Sequence, residues 1–529
     1  MTAPTAALAT GLAGPGQHLA RGAGNPGAPG SAESLVQSVD WAAIAPPTIA
    51  AVAALVVLVA DLFLGERRKP LLGALAAAAL ALAGLALLPL VGEDRATFCL
   101  TSGSGACSYV ADPFTLVVQL LVLGGAFVTA LLSLPAVRQE RLPAGEFWFL
   151  LLSSAAGAAL LPAARDLATL VIALEVASLP AFALVGLRRG ERLSSEAALK
   201  FFLSSVTATA VMLLGVGFVY AATGSLHLRD IAEGLPAVDG RLGTLAATGV
   251  VLTLVGFAFK TAAAPFHFWV PETYVGAPVP VAAYLSVVGK AAGFSGLILV
   301  TVRAFPSYAH VWGPVLAVLA ALTMSVGNLA ALRQRPDRPH SAVRLLAWSS
   351  VGQAGYLLVP PAAAGWADRP GDPVGATLAY ALMYAVVNLG AFAVVCALRP
   401  AGGDARIEAH RGLAAGRPVV ALALAFFLLC LAGLPPGVIG LFAKVTVFGA
   451  AVDAGLGWLA VVMAVNVVIA LVYYLRWTAV LFRPGQPSDG ARVPFPAPLT
   501  AVIALTGVLA LAVSGAPQLI LRFAGMTLF

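Results

Sequence analysis

Lysines, one carboxylate and two interrupted helices carry the chemistry that can be read from this chain. The stretch Gly256–Pro280 reads GFAFKTAAAPFHFWVPETYVGAPVP, with Lys260 in the middle of an apolar segment. Pro265 follows five residues later, and His267 and Trp269 come directly after it. An ammonium group, a histidine and a helix break have no structural use in a hydrocarbon environment. Together they predict a place where charge is handled inside a bilayer.

The lysine usage points the same way. The chain has five lysines against 26 arginines, and four of the five, Lys200, Lys260, Lys290 and Lys444, fall inside apolar spans. Each mid-span lysine costs roughly 2.5–3.5 kcal/mol on insertion scales. Arginine stays protonated in proteins, whereas a desolvated lysine can release its proton, so a group meant to gain and lose a proton should be lysine. Glu175, in Val171-Ile-Ala-Leu-Glu-Val-Ala-Ser-Leu-Pro180, is the one clear mid-span acid; Asp61, Asp112 and Asp166 lie near span ends. A Glu–Lys pair in low dielectric titrates as a unit, so holding the two together or apart makes a switch.

Each residue also has a plainer reading. A long lysine side chain can snorkel to the interface. Lys200, about one turn into its span and four residues after Glu196, equally fits a surface i,i+4 pair. Glu175 fits a structural salt bridge. His267 fits packing beside Trp269 as well as a proton relay.

The elements that must position these groups are membrane spans. At 529 residues, 60% hydrophobic and only 10% charged, the chain cannot be a soluble globule, since soluble domains are about 25% charged. Apolar runs long enough to cross a bilayer recur from Pro46 onwards. They lie near 46–64, 70–91, 113–135, 146–163, 165–187, 197–222 and 246–270. Seven more lie near 279–302, 312–332, 342–361, 375–398, 419–453, 457–481 and 497–515. The predicted fold is an all-α polytopic membrane protein of about 14 transmembrane helices. The span 246–270 breaks at Pro265, and 419–453 breaks at Gly433-Leu-Pro435-Pro436-Gly437, which a continuous helix would not tolerate. Residues 1–38 are Ala/Gly/Pro-rich, disordered by composition, and lack a signal-peptide pattern.

One set of alternate loops holds 18 basic residues and the opposite side, termini included, holds eight. The richer side is expected to be cytoplasmic, with both termini outside. The net charge of +7 is therefore a topology signal, and no nucleic-acid partner is expected. The four cysteines include no CxxC, and there is no HxxxH or HExxH, so no ligand set for haem, iron–sulfur or zinc is expected. Cys396 and Cys430 lie in apolar spans as packing residues, while Cys99 and Cys107 share one outer loop where a disulfide is allowed. Gly256-Phe-Ala-Phe-Lys260 is echoed by Gly440-Leu-Phe-Ala-Lys444, each beside a helix break. Such a pairing marks a transport site.

Several ordered motifs carry a family resemblance: Val39-Asp-Trp41, Leu174-Glu-Val-Ala-Ser-Leu-Pro180, Glu196-Ala-Ala-Leu-Lys-Phe-Phe202, Pro265-Phe-His-Phe-Trp-Val-Pro-Glu272, Arg344-Leu-Leu-Ala-Trp-Ser-Ser350 and Leu431-Ala-Gly-Leu-Pro-Pro436 with Lys444. From about residue 39 onwards the chain resembles the antiporter-like membrane subunits of proton-pumping NADH:quinone oxidoreductase, respiratory complex I. Among the paralogous branches it is most similar to the bacterial N branch, because it stops after about 14 spans and has Lys444 in its last broken helix. The resemblance implies two inverted five-helix repeats, 146–302 and 312–481, after a three-helix segment 39–135 and before a C-terminal helix 497–529. It implies that Glu175 and Lys260 form the ion pair of a first half-channel, that Lys290 is the connecting residue and that Lys444 exchanges protons at the far end. His267 matches a histidine of the family's broken helix and, with Lys200, is an accessory candidate. Many relatives carry histidine where this chain has Gln353, and glutamine cannot titrate. The flavin, iron–sulfur clusters and quinone are implied in other subunits and none in this chain. The implied partners are other membrane subunits in a bacterial cell membrane. The alternatives are a subunit of a multisubunit sodium/proton antiporter or membrane-bound hydrogenase, and a non-transporting assembly scaffold.

Overall fold

The computed structural model describes residues 39–101, 104–399, 403–484 and 495–525. The expected extension 1–38 lies outside the described residues. The chain begins with α1 (Trp41–Phe63), α2 (Pro70–Leu85), α3 (Pro113–Gln139), α4 (Ala144–Leu160) and α5 (Leu167–Val185). The near-end aspartates explain several of these starts. Asp112 accepts from the Thr115 amide at 2.9 Å and Asp166 from the Thr169 amide at 2.7 Å, satisfying orphan donors at the first turns of α3 and α5.

Next come α6 (Arg192–Thr223), the short α7 (Leu228–Gly234), α8 (Gly240–Lys260) and α9 (Trp269–Gly276). A following rod contains α10 (Val279–Tyr284) and α11 (Lys290–Ile298), each succeeded by π-helical turns, Leu285–Gly289 and Leu299–Ala304. Then follow α12 (Ala309–Leu332), α13 (Ser341–Ala363), α14 (Val374–Leu398) and the single turn α15 (Leu413–Gly416). The chain closes with α16 (Pro418–Ala432), α17 (Val438–Asp453), α18 (Gly457–Phe482), α19 (Ala497–Gly515) and the turn α20 (Gln518–Leu521).

Among the described residues, twelve helices are long and apolar enough to cross a membrane. The two expected spans outside that set have physical reasons for it. One is divided into α16 and α17. The other, α13, carries Ser349, Ser350, Gln353 and Tyr356 and buries every residue except Arg344 and Trp348. It packs against α9, α12, α14 and α17. A helix walled in by others needs no lipid-facing apolar stripe, so it is free to be polar. α13 is the polar centre of the bundle.

Two ends of the bundle can be told apart. At one end Glu140 accepts from Arg188 Nε at 2.6 Å and Arg399 Nη1 at 2.8 Å, while His340 faces Asp404 at 3.3 Å. These groups belong to the loops counted above as rich in basic residues. At the other end a hairpin, β1 (Arg95–Cys99) with β2 (Cys107–Ala111), is closed by a Cys99–Cys107 disulfide. The hairpin was not anticipated, because its strands are five residues long and sit in a loop. Asp40 donates its amide to Thr97 Oγ1 at 3.1 Å, and Ser108 accepts from the Arg165 amide at 2.9 Å. The hairpin thereby ties the start of α1 to the start of α5. Beside it Arg165 and Asp112 form a buried ion pair.

Candidate functional site

The break after α8 is built from specific contacts. The helix ends at Lys260, Ala262 has a positive φ of 61°, and the Ala264–Pro265 bond is cis. The first four residues past the helix, Thr261 to Ala264, are buried in protein, and the backbone reaches the rim of the break at Pro265. The Ala264 amide donates to Thr323 Oγ1 at 2.8 Å, and Trp269 Nε1 donates to the Phe259 carbonyl at 3.1 Å. Gly293 lets α11 approach closely, since a Cβ there would lie 2.9 Å from the Lys260 carbonyl carbon. The ammonium is thus held at the C-terminal end of a half-helix, where the backbone dipole favours a cation.

Lys260 is 8% exposed. Its Nζ donates to Ser178 Oγ at 2.7 Å and to Ser205 Oγ at 2.8 Å, and stands 3.6 Å from Glu175 Oε1. The same carboxylate oxygen accepts from Thr209 Oγ1 at 2.8 Å. Glu175 and Lys260 are therefore paired as ions while each is hydrogen-bonded mainly to hydroxyls. At 3.6 Å the ion contact is longer than the hydroxyl hydrogen bonds on either side of it, 2.7 Å at Lys260 and 2.8 Å at Glu175. A cavity of about 40 Å³ beside Lys260 is lined by Ser178, Trp269, Tyr284 and Gly289, room enough for a water. It reaches the residue that precedes Lys290.

Lys290 begins α11 directly after a π-helical turn and is 2% exposed. π-helical turns recur at functional sites. Its Nζ donates to the Ser350 carbonyl and, at 2.6 Å, to Ser350 Oγ, which also accepts from Tyr384 at 3.1 Å. One turn further along α13, Gln353 accepts from Tyr380 and donates to Tyr474 at 3.5 Å and to the Leu431 carbonyl at 3.4 Å. Tyr474 in turn shares a hydrogen bond with Ser349.

Lys444 lies on α17 just past the second break and is 4% exposed. It reaches back across the break to donate to the Ala432 carbonyl at 2.5 Å, the last helical residue of α16. The break contains a cis Pro435–Pro436 bond. Here too an ammonium caps the C-terminal end of a half-helix. Its Nζ lies 5.7 Å from the Tyr356 ring centroid. Among the described residues, neither Lys290 nor Lys444 has a carboxylate within ion-pair distance; Lys260 does.

The other candidates fall elsewhere. Lys200 points outward with a side chain 53% exposed and pairs with Glu196 at 2.6 Å, four residues before it. The structure does not bring it to the buried lysines. His267 lies half-buried in the first break with its ring 5.6 Å from Trp348. Pro265, Pro435 and Pro436 are exposed at the rim of their breaks. The residues not singled out from the sequence are the neutral ones: Ser178, Ser205 and Thr209 around the ion pair, and Ser349, Ser350, Tyr380, Tyr384 and Tyr474 between Lys290 and Lys444. Their spacing held a signal, since Glu175/Ser178, Ser350/Gln353 and Tyr380/Tyr384 are three or four apart and so share a helix face.

A polytopic bundle with broken helices and buried lysines at both breaks defines an antiporter-like membrane subunit. The profile described as NADH:quinone oxidoreductase/Mrp antiporter, transmembrane, matches residues 164–470. A relative in Streptomyces griseus, named NADH-quinone oxidoreductase subunit N 2, is 69% identical over 512 residues, 94% of this chain and 96% of the relative. A chain of respiratory complex I from Thermus thermophilus, solved with bound aureothin, is 34% identical with a TM-score of 0.72, over 91% of this chain and all of that one. A chain of the Mrp complex from a Dietzia species shares the fold at a TM-score of 0.77 with 22% identity, over 92% of this chain and 96% of that one. The chain belongs to the NADH-quinone oxidoreductase subunit N family.

Proposed function

We propose that this chain is a proton-translocating membrane subunit of NADH:quinone oxidoreductase that moves protons along Glu175, Lys260, Lys290 and Lys444. The observation that carries this reading is the buried Glu175–Lys260 contact of 3.6 Å in a bundle that buries two further lysines, Lys290 and Lys444. A charge held this deep costs several kcal/mol of desolvation even after relaxation. A purely structural bundle would have no reason to carry three such charges.

In this reading the subunit performs no redox chemistry. Flavin, iron–sulfur clusters and quinone belong to other subunits, and energy released there opens or closes the Glu175–Lys260 contact. Protons then pass by Lys290 to Lys444 and leave on the outer side. The two broken helices stand as corresponding members of two inverted repeats, 146–302 and 312–481, flanked by 39–135 and 497–529. The neighbours would be the other membrane subunits of the complex in a bacterial cell membrane. The Cys99–Cys107 disulfide supports placing the hairpin end, and with it both termini, on the oxidising outer side. Multisubunit antiporters share the fold, so the fold alone does not choose between the readings; the high identity to subunit N relatives favours complex I.

The test is pumping by the assembled complex. Lys260→Met and Glu175→Ala should keep electron transfer from NADH to an artificial acceptor and lose coupled proton uptake by vesicles. Full pumping by both variants would overturn the proposal, and sodium-dependent exchange in cells lacking the rest of the complex would favour the antiporter reading.

A further inference from the structure

The hydrogen-bonded side chains described between Lys290 and Lys444 include no carboxylate or imidazole, only hydroxyls and Gln353. Two cavities of about 20 Å³ each approach it from either side. One holds Lys290, with Ser295 and Thr377 in its wall. The other holds Lys444, with Gln353 and Tyr380. Among the residues lining them, Tyr384 alone belongs to both. Its hydroxyl donates to Ser350 Oγ at 3.1 Å, and Ser350 Oγ accepts from Lys290 Nζ at 2.6 Å. One turn further along α14, Asn388 donates to Ser286 at 2.7 Å while its Oδ1 is buried with no protein partner among the described residues. The cavity that holds Lys444, about 20 Å³ and walled by Gln353, Tyr380 and Tyr384, has room and polar partners for one ordered water.

We infer that Tyr384 is the relay by which a proton crosses from Lys290 to Lys444, with Ser350 and a single cavity water completing the path. The inference rests on reading Lys290 and Lys444 as proton carriers. The step conserves atoms and charge. An N–H bond of the Lys290 ammonium breaks as an O–H bond forms at Ser350, and Ser350 passes its own proton to Tyr384. Tyr384 passes its proton to the water, and the neutral Lys444 amine takes the last one. Every electron pair stays on its own oxygen or nitrogen; Lys290 ends neutral and Lys444 ends charged. In the resting arrangement Tyr384 donates to Ser350, which is the wrong order for transfer. Rotating the two hydroxyls about their C–O bonds reverses that order without moving a heavy atom. Each passage leaves Tyr384 donating to Ser350 again, so the same rotation re-arms the path before the next proton. A leucine or phenylalanine at 384 would leave no hydroxyl between the two cavities, and a charged side chain there would pay a desolvation cost that a phenol avoids.

The experiment compares Tyr384→Phe, Ser350→Ala and Lys290→Met in the assembled complex, reading the proton-to-electron ratio in vesicles and NADH oxidation by an artificial acceptor. Phenylalanine keeps the ring and removes only the hydroxyl. The expected result is a ratio lowered roughly tenfold or more in all three, within the range removal of a proton-transfer group produces. Assembly and artificial-acceptor activity should stay at the wild-type level, whereas a packing role would lower them together. A wild-type ratio in Tyr384→Phe and Ser350→Ala with a lost ratio in Lys290→Met overturns the relay and leaves the lysine row standing. A wild-type ratio in Lys290→Met overturns the lysine row itself, and the relay with it.

Discussion

The Glu175→Gln substitution isolates charge from shape. Glutamine keeps the carbonyl oxygen that accepts from Thr209 at 2.8 Å and fills the same space, so the bundle has no cavity to collapse into. What disappears is the attraction across 3.6 Å to Lys260. Two unit charges at that separation attract by about 4.6 kcal/mol at an effective dielectric near 20. Part of that is screened, because the Glu175 side chain is 23% exposed, which leaves about 3 kcal/mol. If closing the pair drives the proton step at Lys260, losing about 3 kcal/mol slows that step about 100-fold. The assay is fluorescence quenching of a pH-sensitive dye in vesicles energised with NADH, normalised to NADH oxidation by an artificial acceptor. The reasoning predicts near-complete loss of quenching with the normalising activity unchanged. Quenching at more than half the wild-type extent would refute it, because the pair would then be no more than a structural salt bridge.

Three further outcomes follow from the ends of the bundle. Asp112→Ala leaves Arg165 as a buried charge without its counter-ion, so the complex should lose about 3–5 kcal/mol of stability; a melting temperature equal to wild type would contradict this. A membrane-impermeant maleimide on intact cells should label Cys99 and Cys107 only after mild reduction, as the disulfide at the outer end requires. Labelling before reduction would refute the bond, and no labelling after it would refute the outer placement. His410, in the loop before α16, accepts from Trp477 Nε1 at 3.2 Å, and burial pushes its imidazole from the ordinary 6.5 down to about 4. Since the folded value lies below the unfolded one, the stabilisation is fully present above pH 6.5 and is lost as pH falls through about 4. That loss amounts to about 3 kcal/mol. His410→Asn should therefore flatten the fall in melting temperature between pH 6.5 and 4; an unchanged fall would assign it to other groups.

The charged half of the site was legible in the sequence because charge is expensive in a membrane. Lys260, Lys290, Lys444 and Glu175 stood out against an apolar background, and Pro265 and Pro435-Pro436 marked the breaks beside them. The neutral half was not legible, because Ser, Thr and Tyr are cheap enough in a helix to pass as packing. Only the crossing of α13 with α14 and α18 shows that Ser350, Gln353, Tyr384 and Tyr474 meet. Apolarity also misjudges α13: its polar residues reflect a central position, where neighbours rather than lipid surround it. Lys200 takes the plainer of its two readings. Four residues after Glu196 and only a turn into its span, it is turned outward by α6 to pair with that glutamate. The hairpin Arg95–Ala111 was hidden because five-residue strands in a loop leave too short an alternation to read.

The central claim is that the buried lysines carry protons rather than fixed charge, and Lys290→Arg tests it most directly. Arginine preserves the positive charge and can still donate to Ser350, but it holds its proton at every physiological pH. The proton-to-electron ratio of the assembled Lys290→Arg complex should fall to the level of Lys290→Met, with electron transfer to an artificial acceptor intact. A wild-type ratio in Lys290→Arg would contradict the account, because a group that never releases its proton would then suffice.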